Sequence, residues 1–311
     1  MNNILITGSN GFVGENLKFF FKTNFPNYKL FFVERGNSKE PNHISWENIE
    51  NGIPESINII IHLAGKAHDL KNVSKPQEYY EVNTELTKKI YDQFLSSNAH
   101  KFIFISTIKA AADEIQGILT ETHIANPITH YGKSKLLAEN YIINQNTTNN
   151  KKYFILRPCM IYGEGNKGNL NLLYQIVKKG IPWPLGAFNN KRSFCNIDNL
   201  NFVIKELIDK ENIASGIYNI ADNESLSTNE IIQLIAESKN KKASIWHIPK
   251  NLIIALAKLG DKMKLPLNSE RLQKLTASYL VDNAKIKLAI GKNLPFTTRE
   301  GLLKTFQSFN K

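Results

Sequence analysis

Three features of the sequence predict an α/β chain: a doubly wound parallel sheet followed by a smaller C-terminal lobe. Short, continuously apolar runs alternate with helical patterns through the first half, as parallel strands covered on both faces require. A glycine-rich turn joins the first of these runs to the first helix. Beyond residue 160 the texture changes. The stretch 166–192 carries several Gly and Pro residues, and 251–275 reads as helices broken near Pro266.

The elements follow in order. Ile4–Thr7 reads as a strand, with a helix from Gly11 to about Thr23 and a second strand at Leu30–Val33. Ile59–Leu63 is a third strand, and a long helix runs from about Gln77 to Ser97. Phe102–Ser106 is a strand, about Tyr131 to Asn144 a helix, and Tyr153–Leu156 a strand. The expected division is 1–160 for a dinucleotide-binding Rossmann domain and 161–311 for the second lobe, some of whose segments return to the main sheet. Such sheets bind ligands at the carboxyl ends of their strands.

With 311 residues and 42% hydrophobic content the chain can bury a full core. Cys159 and Cys195 give neither a disulfide framework nor metal-ligand spacing, which fits a reduced cytoplasm. The chain opens on a strand without a cleavable signal pattern. The longest apolar stretches, Ile57–Ala64 and Leu252–Leu259, fall far short of a bilayer span. A cytoplasmic protein with no integral membrane segment is expected. The formal net charge is +11, but the lysines come in scattered pairs rather than one tract interleaved with aromatics, which argues against a nucleic-acid groove. The excess leaves a weak pull toward anionic substrates or anionic lipid surfaces.

Thr7-Gly8-Ser9-Asn10-Gly11-Phe12-Val13-Gly14 lies between a strand and a helix. One glycine permits the sharp turn, a second lets the helix N-terminus approach a pyrophosphate, and a third lets helix and strand pack closely. The strand before and the helix after supply the context that a lone glycine triad lacks. Glu34 and Arg35 follow the second strand. A carboxylate there accepts hydrogen bonds from ribose hydroxyls and favours NAD; an arginine pairs with a 2′-phosphate and favours NADP. Register decides between them, so NAD and NADP both stay open.

Tyr131 and Lys135 are four apart in a predicted helix and share a face, whereas Lys133 points away. A free phenol, pKa about 10, is a poor base at neutral pH unless a nearby cation stabilises the phenolate. Lys135 can provide that cation and still reach the ribose of a nicotinamide cofactor.

The ordered series ITGSNGFVG, IIHLAG, EVNTELT, FISTIKAA, YGKSK, LRPCMIYGEG and KRSFCNIDNL resembles the extended short-chain dehydrogenases, the nucleotide-sugar epimerase/dehydratase family. The matches run over nearly the whole chain. The resemblance implies Thr107, Tyr131 and Lys135 as the catalytic set. It implies cofactor contacts from Gly8, Asn10, Gly11, Phe12, Val13, Gly14, Glu34, Arg35, Leu63, Ala64, Gly65, Asn83 and Pro158 besides Tyr131 and Lys135. Asn83 would steady the active-site helix. Asn169 and Leu170 would lie along a uridine diphosphate, Arg192 would pair with its phosphates, and Lys109 would border the substrate. A homodimer through the helices at 77–97 and 131–144 is also implied.

Departures from the family pattern narrow the reaction. Its 4,6-dehydratases carry Asp and Glu after the catalytic Thr, where this chain has Ile108 and Lys109. Its 3,5-epimerase/reductase branch carries a Cys beside that hydroxyl, which Ile108 excludes. What remains is redox chemistry at C4 of a UDP-hexose or UDP-N-acetylhexosamine, as a 4-epimerase. The alternative is an NAD(P)H-dependent 4-reductase of a UDP-4-keto-6-deoxy-N-acetyl sugar. A non-catalytic dinucleotide sensor is the remote reading, since such proteins lose the Tyr or the Lys.

Overall fold

Strand side chains point alternately to opposite faces, and here that period divides the core. A computed structural model describes residues 2–34, 42–66, 75–147, 150–166, 168–263 and 268–309. Ile4, Ile6, Ile59, Ile61, Ile103, Ile105, Phe154 and Leu156 bury against one face, and Leu5, Ile60, Phe102, Phe104 and Ile155 against the other.

The first half runs β1 (Asn3–Thr7), α1 (Phe12–Asn24), β2 (Lys29–Glu34), β3 (His43–Ser45), α2 (Trp46–Glu50), β4 (Ile59–His62), α3 (Pro76–Tyr79), α4 (Leu86–Ser96), β5 (Lys101–Ile105), β6 (Ile118–Leu119), α5 (His130–Asn144) and β7 (Lys152–Pro158). The second half runs β8 (Met160–Tyr162), α6 (Asn169–Lys178), β9 (Phe194–Asn196), α7 (Ile197–Asp209), β10 (Gly216–Ile220), α8 (Thr228–Glu237), α9 (Lys250–Met263), α10 (Ser269–Thr276), β11 (Leu280–Val281), α11 (Ala284–Ile290) and α12 (Thr298–Ser308). Seven strands form one parallel sheet in the order β10-β7-β5-β4-β1-β2-β3. The predicted doubly wound architecture is therefore present. β10, from beyond residue 160, pairs with β7, and α7 and α11 help cover the face opposite α4 and α5.

The expected single helix at 77–97 is interrupted. Between α3 and α4 the backbone widens into a π-helical stretch, Tyr80–Glu85. Its buried residues are the polar Asn83 and Thr84, so a hydrophobic pattern does not reveal it, and such turns occur often at functional sites. Arg35 and Pro266 lie outside the described residues.

The second lobe has two small cores. Tyr162, Leu170, Tyr174, Phe194, Leu302 and Phe306 form part of one. Trp183, Leu185, Ile232, Ile253, Ala257 and Leu272 form the other.

Lys101 fixes the sheet to α7. Its side chain is fully buried, and its ammonium donates to Ile208 O (2.6 Å), Lys210 O (3.2 Å) and Glu211 Oε1 (2.7 Å). A cation at a helix C-terminus satisfies carbonyls left without intrahelical partners. Lys101→Ala is expected to lower unfolding stability by about 2–3 kcal/mol by orphaning those carbonyls. Urea denaturation checks this, and a loss below about 0.5 kcal/mol contradicts it.

Candidate active site

The site forms where β1, β4 and β5 end. Gly8 has φ +72°, and a Cβ there would stand 2.6 Å from Ala64 N. Only glycine can occupy that position, because the backbone approach is closer than any side chain allows. Gly14 admits no Cβ either, since one would lie 2.5 Å from Gly8 O. Gly11 N-caps α1 without a side-chain bond, so the first-turn N–H groups of α1 remain suited to an anion. Phe12 and Val13 pack on the core, and Asn10 accepts from Lys18 Nζ at 3.4 Å. This cradle fits a dinucleotide pyrophosphate.

Glu34, the last residue of β2, is buried and accepts from Ser9 Oγ at 2.6 Å. The strand is one residue longer at each end than predicted, and that extra residue brings the carboxylate to the glycine turn. On the other side of β1, Leu63 and Ala64 follow β4, and Thr7 Oγ1 accepts from Ala64 N–H (3.2 Å). A Cβ on Gly65 would meet Asn83 Oδ1 and Lys135 Nζ, each at 3.0 Å. Pro158 ends β7 in register with Ile220.

Asn83 sits in the π-helical stretch, fully buried. Its Oδ1 accepts from Lys66 N–H (2.7 Å), while Nδ2 donates to Lys66 O (3.1 Å) and Ser134 Oγ (3.0 Å). Thr84 donates to Ser134 O at 2.8 Å. These bonds tie the first turn of α5 to the loop after β4.

α5 carries Tyr131 and Lys135 one turn apart, and Thr129 caps it by accepting from Gly132 N–H. Thr107, just past β5, accepts from Lys109 N–H at 3.2 Å, and its hydroxyl stands near enough to Tyr131 to draw the phenol's pKa downward. Ser106 instead donates to Glu139, which is fully buried and held by Arg157. The structure thus brings Thr107 and Tyr131 together and assigns Ser106 to the core.

The phenol of Tyr131 differs from the expectation of a lowered pKa. Burial pushes it above its ordinary value, with the Thr107 hydroxyl opposing the rise. Lys135 does not offset this. Its ammonium donates to Ile105 O (3.0 Å) and lies 4.6 Å from the centre of the Phe104 ring. Burial lowers Lys135 to about 8, while Glu139 pulls it upward. The pocket by itself disfavours both charged forms.

Beneath it, His62 Nδ1 contacts Thr7 Oγ1 (2.7 Å) and Nε2 contacts Thr87 Oγ1 (3.0 Å). Thr87 already donates to Asn83 O, so Nε2 carries the proton and Nδ1 accepts, an assignment made from the network.

The residues expected at the substrate are split. Lys109 and Arg192 lie close enough that Arg192 lowers the Lys109 pKa, after burial and the opposing pull of Asp113. Lys109 Nζ donates to Asp113 O (2.6 Å) and sits 5.0 Å from the Tyr279 ring centre. Arg192 donates to Ala277 O (2.9 Å) and to Lys274 O at the end of α10; its five N–H donors exceed what those carbonyls take. Asn169 is exposed at the first turn of α6, whereas the Leu170 side chain is core. The expectation that Leu170 lies along a ligand is thereby limited to its backbone, because the second lobe needs its side chain.

Sequence reasoning missed the Glu139–Arg157 pair. Its signal was present: Glu139 repeats the Tyr131–Lys135 spacing, and Arg157 interrupts an apolar strand.

The class that fold and site define is a nicotinamide-dinucleotide enzyme of the extended short-chain type. Residues 4–221 match the NAD dependent epimerase/dehydratase family, and the chain belongs to it. A UDP-glucose 4-epimerase of Vibrio cholerae is 32% identical over 330 positions, covering 99% of this chain and 95% of that protein. The N-acetyl-alpha-D-glucosaminyl-diphospho-ditrans,octacis-undecaprenol 4-epimerase of Escherichia coli O157:H7 is 28% identical, covering 98% and 95%. A crystal structure of UDP-N-acetylglucosamine 4-epimerase from Bacillus cereus shares the fold with TM-score 0.79, at 20% identity and 100% coverage of both chains. Among the described residues, no helix is long and apolar enough to cross a membrane.

His62 gives a pH test. Burial, with the Lys135 ammonium adding to it, lowers its pKa from 6.5 to about 3. The unfolded chain therefore binds a proton below about pH 6.5 that the folded chain refuses, and stability falls as pH drops from there toward 3. Between pH 6.5 and 5 the native protein should lose about 2 kcal/mol more than a His62→Gln variant, at about 1.4 kcal/mol per unit. Urea midpoints at both pH values measure this; equal slopes contradict it.

Proposed function

We propose that the protein is a 4-epimerase of a UDP-hexose or UDP-N-acetylhexosamine, with Thr107, Tyr131 and Lys135 carrying the chemistry. The observation behind this reading is the placement of the Thr107 hydroxyl near the Tyr131 phenol, beside a glycine cradle. It occurs in a chain whose relatives are named for 4-epimerisation of diphosphate-linked sugars.

Gly8, Gly11, Gly14, Ala64 and Gly65 would hold the dinucleotide. Glu34 supports NAD over NADP, since a buried carboxylate at the end of β2 repels a 2′-phosphate. Bound there, the nicotinamide supplies a reversible two-electron partner for C4. Tyr131 takes the O4 proton as C4 is oxidised and returns it as C4 is reduced. Thr107 hydrogen-bonds O4 and orients it toward the phenol. The raised phenol pKa favours the proton-return half; for the other, the oxidised nicotinamide would add the positive charge that the phenolate needs and that Lys135, turned toward Ile105 O, does not supply alone. Lys109 and Arg192, near enough for one to influence the other's charge, would form the cationic side suited to a sugar diphosphate, and the N-terminus of α6 at Asn169 would add backbone N–H donors. Epimerisation needs the ketone to present its other face, so the second lobe must hold the diphosphate while the sugar ring turns. A homodimer fits the apolar surface that Leu137 and Ile143 leave exposed on α5.

The test is a panel of UDP-sugars, including a UDP-4-keto-6-deoxy-N-acetyl sugar, with C4 configuration and reduced-nicotinamide absorbance followed together. Epimerised product without net cofactor consumption is expected. Stoichiometric NADPH oxidation by the 4-keto sugar would replace this reading with the 4-reductase. Tyr131→Phe should lower kcat by about 10²–10⁴-fold while dinucleotide binding persists. Undiminished turnover in that variant overturns the assignment.

A further inference from the structure

α9 is packed by one narrow stripe and leaves a second uncovered. Ile253, Ala257 and Gly260, spaced four and three apart, are its buried residues. Leu252, Leu256, Leu259 and Met263, spaced four, three and four apart, share an adjoining face. They are exposed by 53%, 47%, 48% and 60%. A soluble helix ordinarily turns charged residues outward there. Continuous exposed apolar surface of this kind marks a contact surface.

Charge identifies what that contact is. Between Lys239 and Leu275 the sequence holds nine lysines and arginines against two carboxylates, most of the chain's excess of +11. Both carboxylates are engaged: Asp261 accepts from Ser269 N–H (2.9 Å) and Oγ (2.5 Å), and Glu270 pairs with Lys274 (2.6 Å). Lys258 and Lys262 lie on the solvent side of α9 beside the apolar stripe. Trp246, exposed on the segment entering α9, adds an amphipathic ring of the kind enriched at membrane interfaces. In the same lobe, exposed Ile181 lines a depression bordered by Lys239, Lys241 and Lys242.

We propose that α9 is an interfacial helix that docks the second lobe on an anionic lipid bilayer, with its Leu/Met stripe in the acyl boundary and its lysines at the headgroups. An amphipathic helix with leucine on one face and lysine at its border binds this way, and anionic lipid strengthens the attachment. Lysine stems extend over apolar surface while their ammonium groups reach phosphate. α9 is too short to span the membrane, so attachment is peripheral. The inference rests on this surface and not on the reaction assigned to the site.

The test is flotation of the full chain with vesicles of pure phosphatidylcholine and of equimolar phosphatidylcholine and phosphatidylglycerol. Binding to the anionic vesicles is expected, with loss between about 50 and 500 mM salt. The double variant Leu256→Glu/Leu259→Glu should bind at least about tenfold more weakly while its circular dichroism and its turnover of soluble substrate stay at native levels. A separate Leu256→Trp variant should shift its emission to the blue on anionic vesicles. Absence of native binding, unchanged binding of the glutamate variant, or no emission shift overturns the proposal. So does a concentration-dependent dimer that the glutamate variant dissociates without vesicle binding, since a second copy would then cover the stripe.

Discussion

Burying the Lys135 ammonium is the constraint around which the carboxyl edge of the sheet is arranged. A charge removed from water is costly unless it is hydrogen-bonded and paired. Here Ile105 O accepts from it, the Phe104 ring faces it and Glu139 attracts it. Each neighbour is restricted in turn. Gly65 cannot carry a side chain without meeting Nζ, and His62 must stay neutral. Glu139 is compensated by Arg157 and Ser106, because a lone buried carboxylate would be as costly as the lysine.

The second consequence concerns α5. A lysine so confined fixes the rotation of the helix, and with it the position of Tyr131 one turn earlier. The widened turn carrying Asn83 and Thr84 makes the adjustment, bonding both the loop after β4 and the α5 backbone at Ser134. Tyr131, Thr107 and the glycine cradle therefore sit on rigid, well-bonded elements, while the cationic groups Lys109 and Arg192 come from separate segments. That division suits a chemistry in which the reacting atoms stay fixed and the sugar ring must turn.

The sheet, its order of elements and the glycine turn were legible in the sequence because they depend on local rules: period-two burial, short apolar runs and the space a glycine opens. The placement of Thr107, Tyr131 and Lys135 together at the carboxyl edge of the sheet was legible through motif and helical spacing. The π-helical stretch was not, since its buried residues, Asn83 and Thr84, are polar and give hydrophobic spacing nothing to read. The electrostatic balance was not legible either. Spacing alone suggested that Lys135 would lower the phenol pKa; the structure turns the ammonium toward Ile105 O, and burial dominates. Leu170 shows the same limit, because its motif suggested a ligand contact while the second lobe uses its side chain as core.

A held dinucleotide and a fixed phenol predict that whatever leaves C4 returns to the same molecule. The most direct measurement is epimerisation of a UDP-sugar deuterated at C4, followed by nuclear magnetic resonance and mass spectrometry. The account predicts full deuterium retention at C4 in both epimers, in deuterium-free water and with excess unlabelled dinucleotide present. Loss of deuterium to solvent or to the added dinucleotide would contradict it.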